Sequence, residues 1–358
     1  MKTAEEKLID HLNRENLDAI FIQKNENVRY ISSYTGDDAY LIIDRKGNRI
    51  FITDPRYTEQ AAGECPEYSL VEWRSEYGSV AAAVAGIAKK ENYGTLGYES
   101  DHVVVSFFEE MTKEAGFESV GLQGVVEELR SHKTKEEIEF ARIACDITCR
   151  AFERILEDIR VGVTEKELAA RLSLYMVLEG ADTKPYGNIL ISGKRTSLLH
   201  GIPSEKALEY GDFVLMDFGC QYKGYMSDMT RTVIVGRAND TQREVYELEQ
   251  TMVRDVEAFI KDGVSAADAY RASLKHLEGT KYLPYHYTGI GHGVGLFVHE
   301  MPFVGPKSRD MIYKDTVMTV EPGIYIPGWG GVRIEDQIVV TGTGNEILTW
   351  AEKELIEL

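Results

Sequence analysis

The stretch "DFVLMDFGCQYKGYMSDMTRTVIVG", residues 212–236, sets two apolar strand patterns around a turn-like "YKG" and reads as a β-hairpin. Paired about Tyr222 and Lys223, the strands place Asp217 and Asp228 opposite one another. Directly opposed carboxylates repel and weaken a sheet unless something positive lies between them. The same arithmetic recurs in "VMTVEPGIYIPGWGGVRIEDQIVVT", residues 317–341, where Glu321 and Glu335 are equidistant from Gly328 in "PGWGG". Most Asp and Glu side chains are solvated surface charges. Here the flanks "VLMDFG" and "VMTVEPG" are apolar, which implies burial, and a buried carboxylate needs a partner or a metal.

A third stretch, "GIGHGVGLFVHE" at 289–300, sets His292 and His299 seven apart among four glycines. A lone histidine is more often structural than functional, but two hairpins that aim acids at one place change the reading. Four carboxylates and one imidazole hold enough ligands for two divalent ions, with formal charges that cancel, and a bridging hydroxide would complete both shells. Oxygen-rich ligation favours Mn²⁺, Fe²⁺ or Co²⁺ over a thiolate-type zinc site. Ions ~3.5–4 Å apart share a water, lower its pKa and polarise a carbonyl. His292, on a Gly-flanked strand, is the expected neutral ligand, its glycines admitting backbone and substrate. His299 is expected to donate a hydrogen bond to the reacting carbonyl.

Outside these stretches the chain reads as an ordinary globular one. Its 358 residues and 43% hydrophobic content suit two domains with buried cores. A formal charge of −19 disfavours nucleic acid and anionic membrane as partners. The charged N-terminal "MKTAEEKLIDHLNREN" has no signal-peptide core, and no later run approaches ~18 apolar residues, so a cytoplasmic protein is expected. Cys65, Cys145, Cys149 and Cys220 form no CxxC, and Cys145 and Cys149, at i,i+4 of a helical pattern, are expected to pack in a core.

Thr3 and Glu6 resemble a capping box, "DAIFIQ" reads as a strand, and "AYLIID" and "RIFIT" flank "RKGN" as a hairpin. Residues 1–127 are therefore expected to form a smaller α/β domain. In residues 128–358, from the connector "SHKTKEEIEFARIACDITCRAFERILEDI" on, helices and strands mix without regular βαβ alternation, so α+β is the expected fold class. "GIGHGVG" has the wrong spacing for GxGxxG, "GPKS" lacks the upstream glycine of a P-loop, and "HEMPFVG" is not HExxH. Trp73, Trp329 and Trp350 are expected to pack, with Trp329 in "PGWGG" able to border a cleft.

Taken together, "MDFGCQYKGYMSDMTRT", "GIGHGVGLFVHEMP", "TVEPGIYI" and "GVRIED" resemble the pita-bread metallopeptidases, the family of aminopeptidase P, prolidase and methionine aminopeptidase. "NVRYISSYTG" and "DPRYTEQA" resemble the N-terminal domain of the prolidase, aminopeptidase P and creatinase branch. The resemblance implies that Asp217, Asp228, His292, Glu321 and Glu335 ligate two divalent ions, Mn²⁺ foremost, with Co²⁺, Fe²⁺ or Zn²⁺ as alternatives. Asp228 and Glu335 match the bridging ligands, and Glu321 also matches the residue that shuttles the proton. His200, in "LLHGIP", and His299 match the two histidines that approach the scissile bond. Arg333 matches an arginine that braces the ligands, and Tyr325 a nearby tyrosine. The implied activity is hydrolysis of the Xaa-Pro bond at the free N-terminus of dipeptides or short peptides, by a homodimer.

Two departures bear on substrate preference. Thr288 stands where many relatives carry a histidine, with His286 displaced by two, and "GKRTSLLHG" adds Lys194 and Arg195 before His200. These cations lean toward a dipeptidase, which must bind a product-side carboxylate. A creatinase-like amidinohydrolase and a catalytically silent binding module are the rival readings; the intact ligand set disfavours both.

Overall fold

The first helix, Ala4–Arg14, is opened by a capping box in which the Glu6 amide donates to Thr3 Oγ1 (3.1 Å) and the Thr3 amide to Glu6 Oε2 (2.7 Å), as the sequence implies. It begins a computed structural model that describes residues 3–113, 116–182 and 187–358. The chain divides into two compact units, Met1–Arg130 and Ser131–Leu358.

The first unit is built on strands β1 (Ala19–Ile22), β2 (Ala39–Asp44), β3 (Arg49–Thr53), β4 (Ser69–Glu72), β5 (Thr95–Glu99) and β6 (Glu118–Leu122). They form one mixed sheet in the order β4-β3-β2-β1-β5-β6. Ile43 pairs with Arg49, so "RKGN" is the hairpin connection, and Gly47 takes φ 89° there without steric cost. Along β1, Ile20 and Ile22 enter one apolar cluster while Ala19 and Phe21 enter another. The period-2 alternation thus feeds two cores, one on each sheet face, and explains why the strand is apolar throughout.

The second unit opens on the helix Lys135–Leu156, capped reciprocally by Thr134 and Glu137. Its strands are β7 (Ile189–Ser192), β8 (Phe213–Phe218), β9 (Gln221–Tyr222), β10 (Tyr225–Met226), β11 (Met229–Ile234), β12 (Val264–Ser265), β13 (His292–Gly293), β14 (Glu300–Phe303), β15 (Met311–Ile312), β16 (Val317–Val320), β17 (Gly323–Ile326), β18 (Gly330–Arg333), β19 (Asp336–Val340) and β20 (Asn345–Ile347). The larger sheets are β11-β8-β7 and β14-β13-β16-β19-β20, accompanied by short ladders β9–β10, β12–β15 and β17–β18. Helices cover them: Phe152 and Ile155 pack on Leu190, Met216 and Phe218, while Tyr246, Val253 and Val256 pack on Ile324, Val332 and Ile334. Cys145 and Cys149 are buried thiols in this packing, and Trp329 meets Phe213 edge-on at 5.9 Å between ring centroids. This is the expected α+β arrangement beside an α/β unit. Among the described residues no helix is long and apolar enough to cross a membrane.

The two decisive hairpins differ in how their register came out. In the second, Gly323 pairs with Arg333 and Val320 with Asp336, so both ladders turn about Gly328 and leave Glu321 and Glu335 facing one another at the junction between them. The first hairpin corrects the sequence expectation: Asp217 pairs with Thr230, and Asp228 lies two residues away on the same face. The cause is the turn. Tyr222 pairs with Tyr225, leaving a two-residue connection of Lys223 (φ 50°) and Gly224 (φ 85°), the type I′ geometry that suits the twist of the strands. A diagonal placement keeps both acids on one face while setting a threonine, rather than a like charge, opposite Asp217.

Candidate metal centre

Three strand ends and one junction deliver the site. Asp217 comes from β8, Asp228 from the residue before β11, His292 from β13, and Glu321 and Glu335 from the junction flanked by β16, β17, β18 and β19. Asp228, His292 and Glu335 are all buried, and their ligand atoms lie within 4.8 Å of one another. Glu321 joins through His292, whose Nε2 is 3.1 Å from Glu321 Oε1 and 3.7 Å from Asp228 Oδ2. Asp217 joins through Arg333, whose Nη2 donates to Asp217 Oδ2.

The orientation of His292 favours ligation. Nδ1 lies 3.1 Å from its neighbour's carbonyl, Gly293 O, so a proton on Nδ1 donates there and leaves the Nε2 lone pair aimed at the acids. Two of the glycines admit neighbouring backbone, as the sequence suggests. A Cβ at Gly291 would stand 2.4 Å from Thr319 O, and one at Gly293 2.1 Å from Met301 O. At these two positions it is neighbouring backbone, packed against β13, that needs the room.

The electrostatics show a surplus of negative charge. Burial, and then the charges of Asp228, Glu321 and Asp217, push the Glu335 carboxyl well above its ordinary range. Burial opposes the charge on His292, yet Glu321 and Asp228 outweigh it and raise the imidazole to about 9. Burial likewise opposes ionisation of Glu321, but His292 and Arg333 hold its carboxyl below the usual range. One buried guanidinium, Arg333, is acted on by Asp217, Glu321 and Glu335, and the cluster holds Asp228 besides, so the remaining charge has to be met by protons or by cations. An oxygen-rich donor set with one imidazole and a net negative charge fits divalent ions.

His299 stands beside the cluster, its ring in a T-shaped contact with that of His292, 4.4 Å between centroids. It keeps an exposed edge, and burial, followed by the nearby His292, lowers its pKa despite the pull of Glu321. His200 is exposed and close enough to His299 for its charge to add to that lowering. Arg333 is fully committed to bracing: Nε donates to Thr230 Oγ1 (3.0 Å) and Nη1 to the buried Tyr325 hydroxyl (2.6 Å).

Sequence reasoning missed the residues that hold the acids in place. Thr230 Oγ1 donates to Glu335 Oε2 at 2.6 Å, Thr319 Oγ1 to Glu321 Oε1 at 3.0 Å, and Gln337 Oε1 accepts from the Asp228 amide at 2.7 Å. A signal was available: "DMT", "TVE" and "EDQ" each put a polar residue two positions from an acid, hence on the same strand face. Beneath them the buried Arg231 donates to Glu335 O (2.6 Å) and Asp336 Oδ1 (2.8 Å). Glu249 is also buried nearby, where the Ile334 amide and the Arg333 charge only partly offset its loss of water.

Of the two departures, one resolves structurally. His286 stacks on Tyr270 (5.8 Å) and places its nitrogens 3.2 Å from Ser273 Oγ and 3.3 Å from Gly323 O, so it is a packed residue, while Thr288 is exposed. Arg195 is engaged by the buried Glu165 (Nε to Oε2, 3.1 Å) and by Ile202 O (2.7 Å). Lys194 is exposed, and no ion pair to it occurs among the described residues.

Comparison with known proteins agrees with this geometry. The profile of metallopeptidase family M24 matches residues 139–342, and that of the creatinase/prolidase N-terminal domain matches residues 6–132. The chain is 34% identical to an Xaa-Pro dipeptidase of Pyrococcus furiosus, over 99% of this chain and 100% of that one. A solved Xaa-Pro dipeptidase from Bacillus anthracis superposes with a TM-score of 0.94 at 37% identity, covering 99% of each chain. A solved X-Pro aminopeptidase from Thermotoga maritima gives 0.90 at 31%, again over 99% of each. A carboxylate-rich cluster set at a strand junction, and likeness along almost the whole length, lead to one conclusion: the chain belongs to metallopeptidase family M24, in the branch that carries a creatinase/prolidase N-terminal domain.

Proposed function

We propose that this metallopeptidase hydrolyses the Xaa-Pro bond next to the free N-terminus of dipeptides and short peptides, with Asp217, Asp228, His292, Glu321 and Glu335 holding two divalent ions, Mn²⁺ in the first instance. The observation that carries the reading is the buried group of Asp228, His292 and Glu335, ligand atoms within 4.8 Å of one another, in a chain similar to named Xaa-Pro dipeptidases. When bound, such ions supply a water acidified toward neutral pH and Lewis-acid polarisation of the scissile carbonyl.

The chain's own residues supply the rest. Glu321, held ionised beside His292, is placed to accept the proton of the attacking water and pass it to the leaving proline nitrogen. His299 and His200, on the exposed side of the cluster, donate hydrogen bonds to the carbonyl oxygen as it gains charge, a contribution of about 3–4 kcal/mol per donor in comparable sites. Arg333 keeps Asp217 oriented, and Tyr325 keeps Arg333 oriented. Residues 128–358 carry the chemistry and residues 1–127 form the accessory domain; a cytoplasmic homodimer is the expected state. The deciding experiment is hydrolysis of Ala-Pro beside Ala-Pro-Ala by Mn²⁺-loaded protein, with an EDTA control. Cleavage of the dipeptide alone makes it a prolidase, preference for the tripeptide an aminopeptidase, and cleavage of neither removes the Xaa-Pro assignment.

A further inference from the structure

The connector "SHKTKEEIEF" plays no part in the chemistry above, yet its Lys133 reaches into the same region. Lys133 and Glu300 form an ion pair, Nζ to Oε2 at 2.9 Å, with side chains only 2% and 5% exposed. Lys133 is fixed at its own backbone, its amide donating to Asp315 O (3.0 Å), and the next residue, Thr134, caps the long helix that follows. Glu300 directly follows His299, and its other oxygen accepts the Phe297 amide at 2.9 Å. The carboxylate also fills the space over Gly295, where a Cβ would come within 2.6 Å of Oε2. Gly295 in turn is held by the Met226 amide, 2.8 Å from its carbonyl, in the strand that leads to Asp228. The turn between His292 and His299 is therefore closed around one buried carboxylate, and Lys133 anchors that carboxylate.

From this geometry we infer that Lys133 is a positioning residue for His299: through Glu300 it fixes the turn 294–299 and so the place where the His299 imidazole meets the substrate carbonyl. A buried ion pair of this kind is weak support for stability, because desolvation offsets the attraction. Its value lies in geometry, since an imidazole displaced by even 1 Å loses much of its effect on rate. The inference rests on the Xaa-Pro hydrolase reading for its kinetic arm only.

The test compares the parent, Lys133→Arg, the charge-free pair Lys133→Met/Glu300→Gln, His299→Ala, and the triple combination. The charge-free pair avoids leaving an uncompensated buried carboxylate, so it is the variant most able to fold. With Ala-Pro or Ala-Pro-Ala, whichever the parent cleaves, Lys133→Met/Glu300→Gln is expected to lose kcat by on the order of 10–100-fold with KM within about 3-fold and metal content per chain unchanged. Adding His299→Ala should then cost little more than His299→Ala alone. A second readout does not need turnover: in histidine-labelled protein, the His299 ring signal, identified by its loss in His299→Ala, should be single in the parent and broadened or multiple in the charge-free pair. Lys133→Arg should restore part of both. Unchanged kcat, a loss fully additive with His299→Ala, or an unaltered His299 signal would overturn the inference. Failure of the parent to cleave either peptide would instead remove the Xaa-Pro reading, leaving the ring signal to decide the role of Lys133.

Discussion

Asp228→Asn removes one charge from the cluster and keeps its shape. In the metal-free protein one Coulomb effect dominates. Asp228 attracts the imidazolium of His292 at 3.7 Å, which at an effective dielectric of about 20 amounts to ~4 kcal/mol. Glu335, with an oxygen within 4.8 Å, offers no matching relief, because its carboxyl is pushed well above its ordinary range and stays protonated when no cation is bound. The attraction is lost without compensation, so EDTA-treated Asp228→Asn should melt several degrees below EDTA-treated parent. With Mn²⁺ at a hundredfold excess over its dissociation constant, the parent gains about 2.7 kcal/mol, or roughly 5–10 °C for a domain of this size. The variant should lose most of that rise, together with metal content and peptide hydrolysis. Thermal melts with and without Mn²⁺, metal analysis and Ala-Pro turnover read all three. An Asp228→Asn protein that retains the full Mn²⁺-dependent rise and full activity would refute the ligand assignment. One that melts with the parent in EDTA would refute the attraction assigned to His292.

Three further outcomes are expected. His299→Ala should lower kcat by about 10²–10³-fold at unchanged metal occupancy, and loss of an ion in that variant would mean that His299 is a ligand. Glu249 is buried, which pushes its carboxyl well above 4.5, the Ile334 amide and the Arg333 charge offsetting this only in part. A carboxyl raised in the folded state destabilises it as pH climbs past the unfolded value, by about 1.4 kcal/mol per pH unit until the folded group also ionises. Glu249→Gln should therefore melt above the parent at pH 8, with the gap closing toward pH 4; a gap independent of pH would show that packing, not charge, decides. Lys194→Ala should raise KM for Ala-Pro about 5–10-fold and leave Ala-Pro-Ala unchanged, whereas Arg195→Ala, by freeing the buried Glu165, should cost about 2–3 kcal/mol of stability with little effect on KM. Equal KM effects on both peptides would remove Lys194 from carboxylate recognition.

Much of this was legible in the chain because carboxylates in apolar strands are conspicuous. The second hairpin could be counted residue by residue, since its strands pair symmetrically about Gly328 in "PGWGG". The first could not, because counting alone does not say whether a turn has two residues or a different number; the positive φ of Lys223 and Gly224 decided it and moved Asp217 opposite Thr230. The holding residues escaped for a different reason. Thr230, Thr319 and Gln337 are ordinary as residue types, and only their two-residue spacing from an acid marks them. Long-range pairs such as Lys133 with Glu300 and Arg231 with Asp336 leave no local signature at all, because their partners are fixed by tertiary packing. Arg195 shows the converse: a cation near a functional histidine looked available for substrate until its buried partner Glu165 was seen.

The junction between the two ladders of the second hairpin also sets where the chain tolerates a change in length. β16–β19 and β17–β18 share one register, with Glu321 and Glu335 at the junction between them. An extra residue at Gly328 lengthens only the exposed turn and leaves both ladders as they are. The same residue inserted at Pro322 or Ile334 would offset one ladder against the other and turn every side chain of one strand to the opposite face. Tags, linkers or grafted loops belong at the tip of this hairpin, and a single-residue indel at its base would take the whole acid cluster apart.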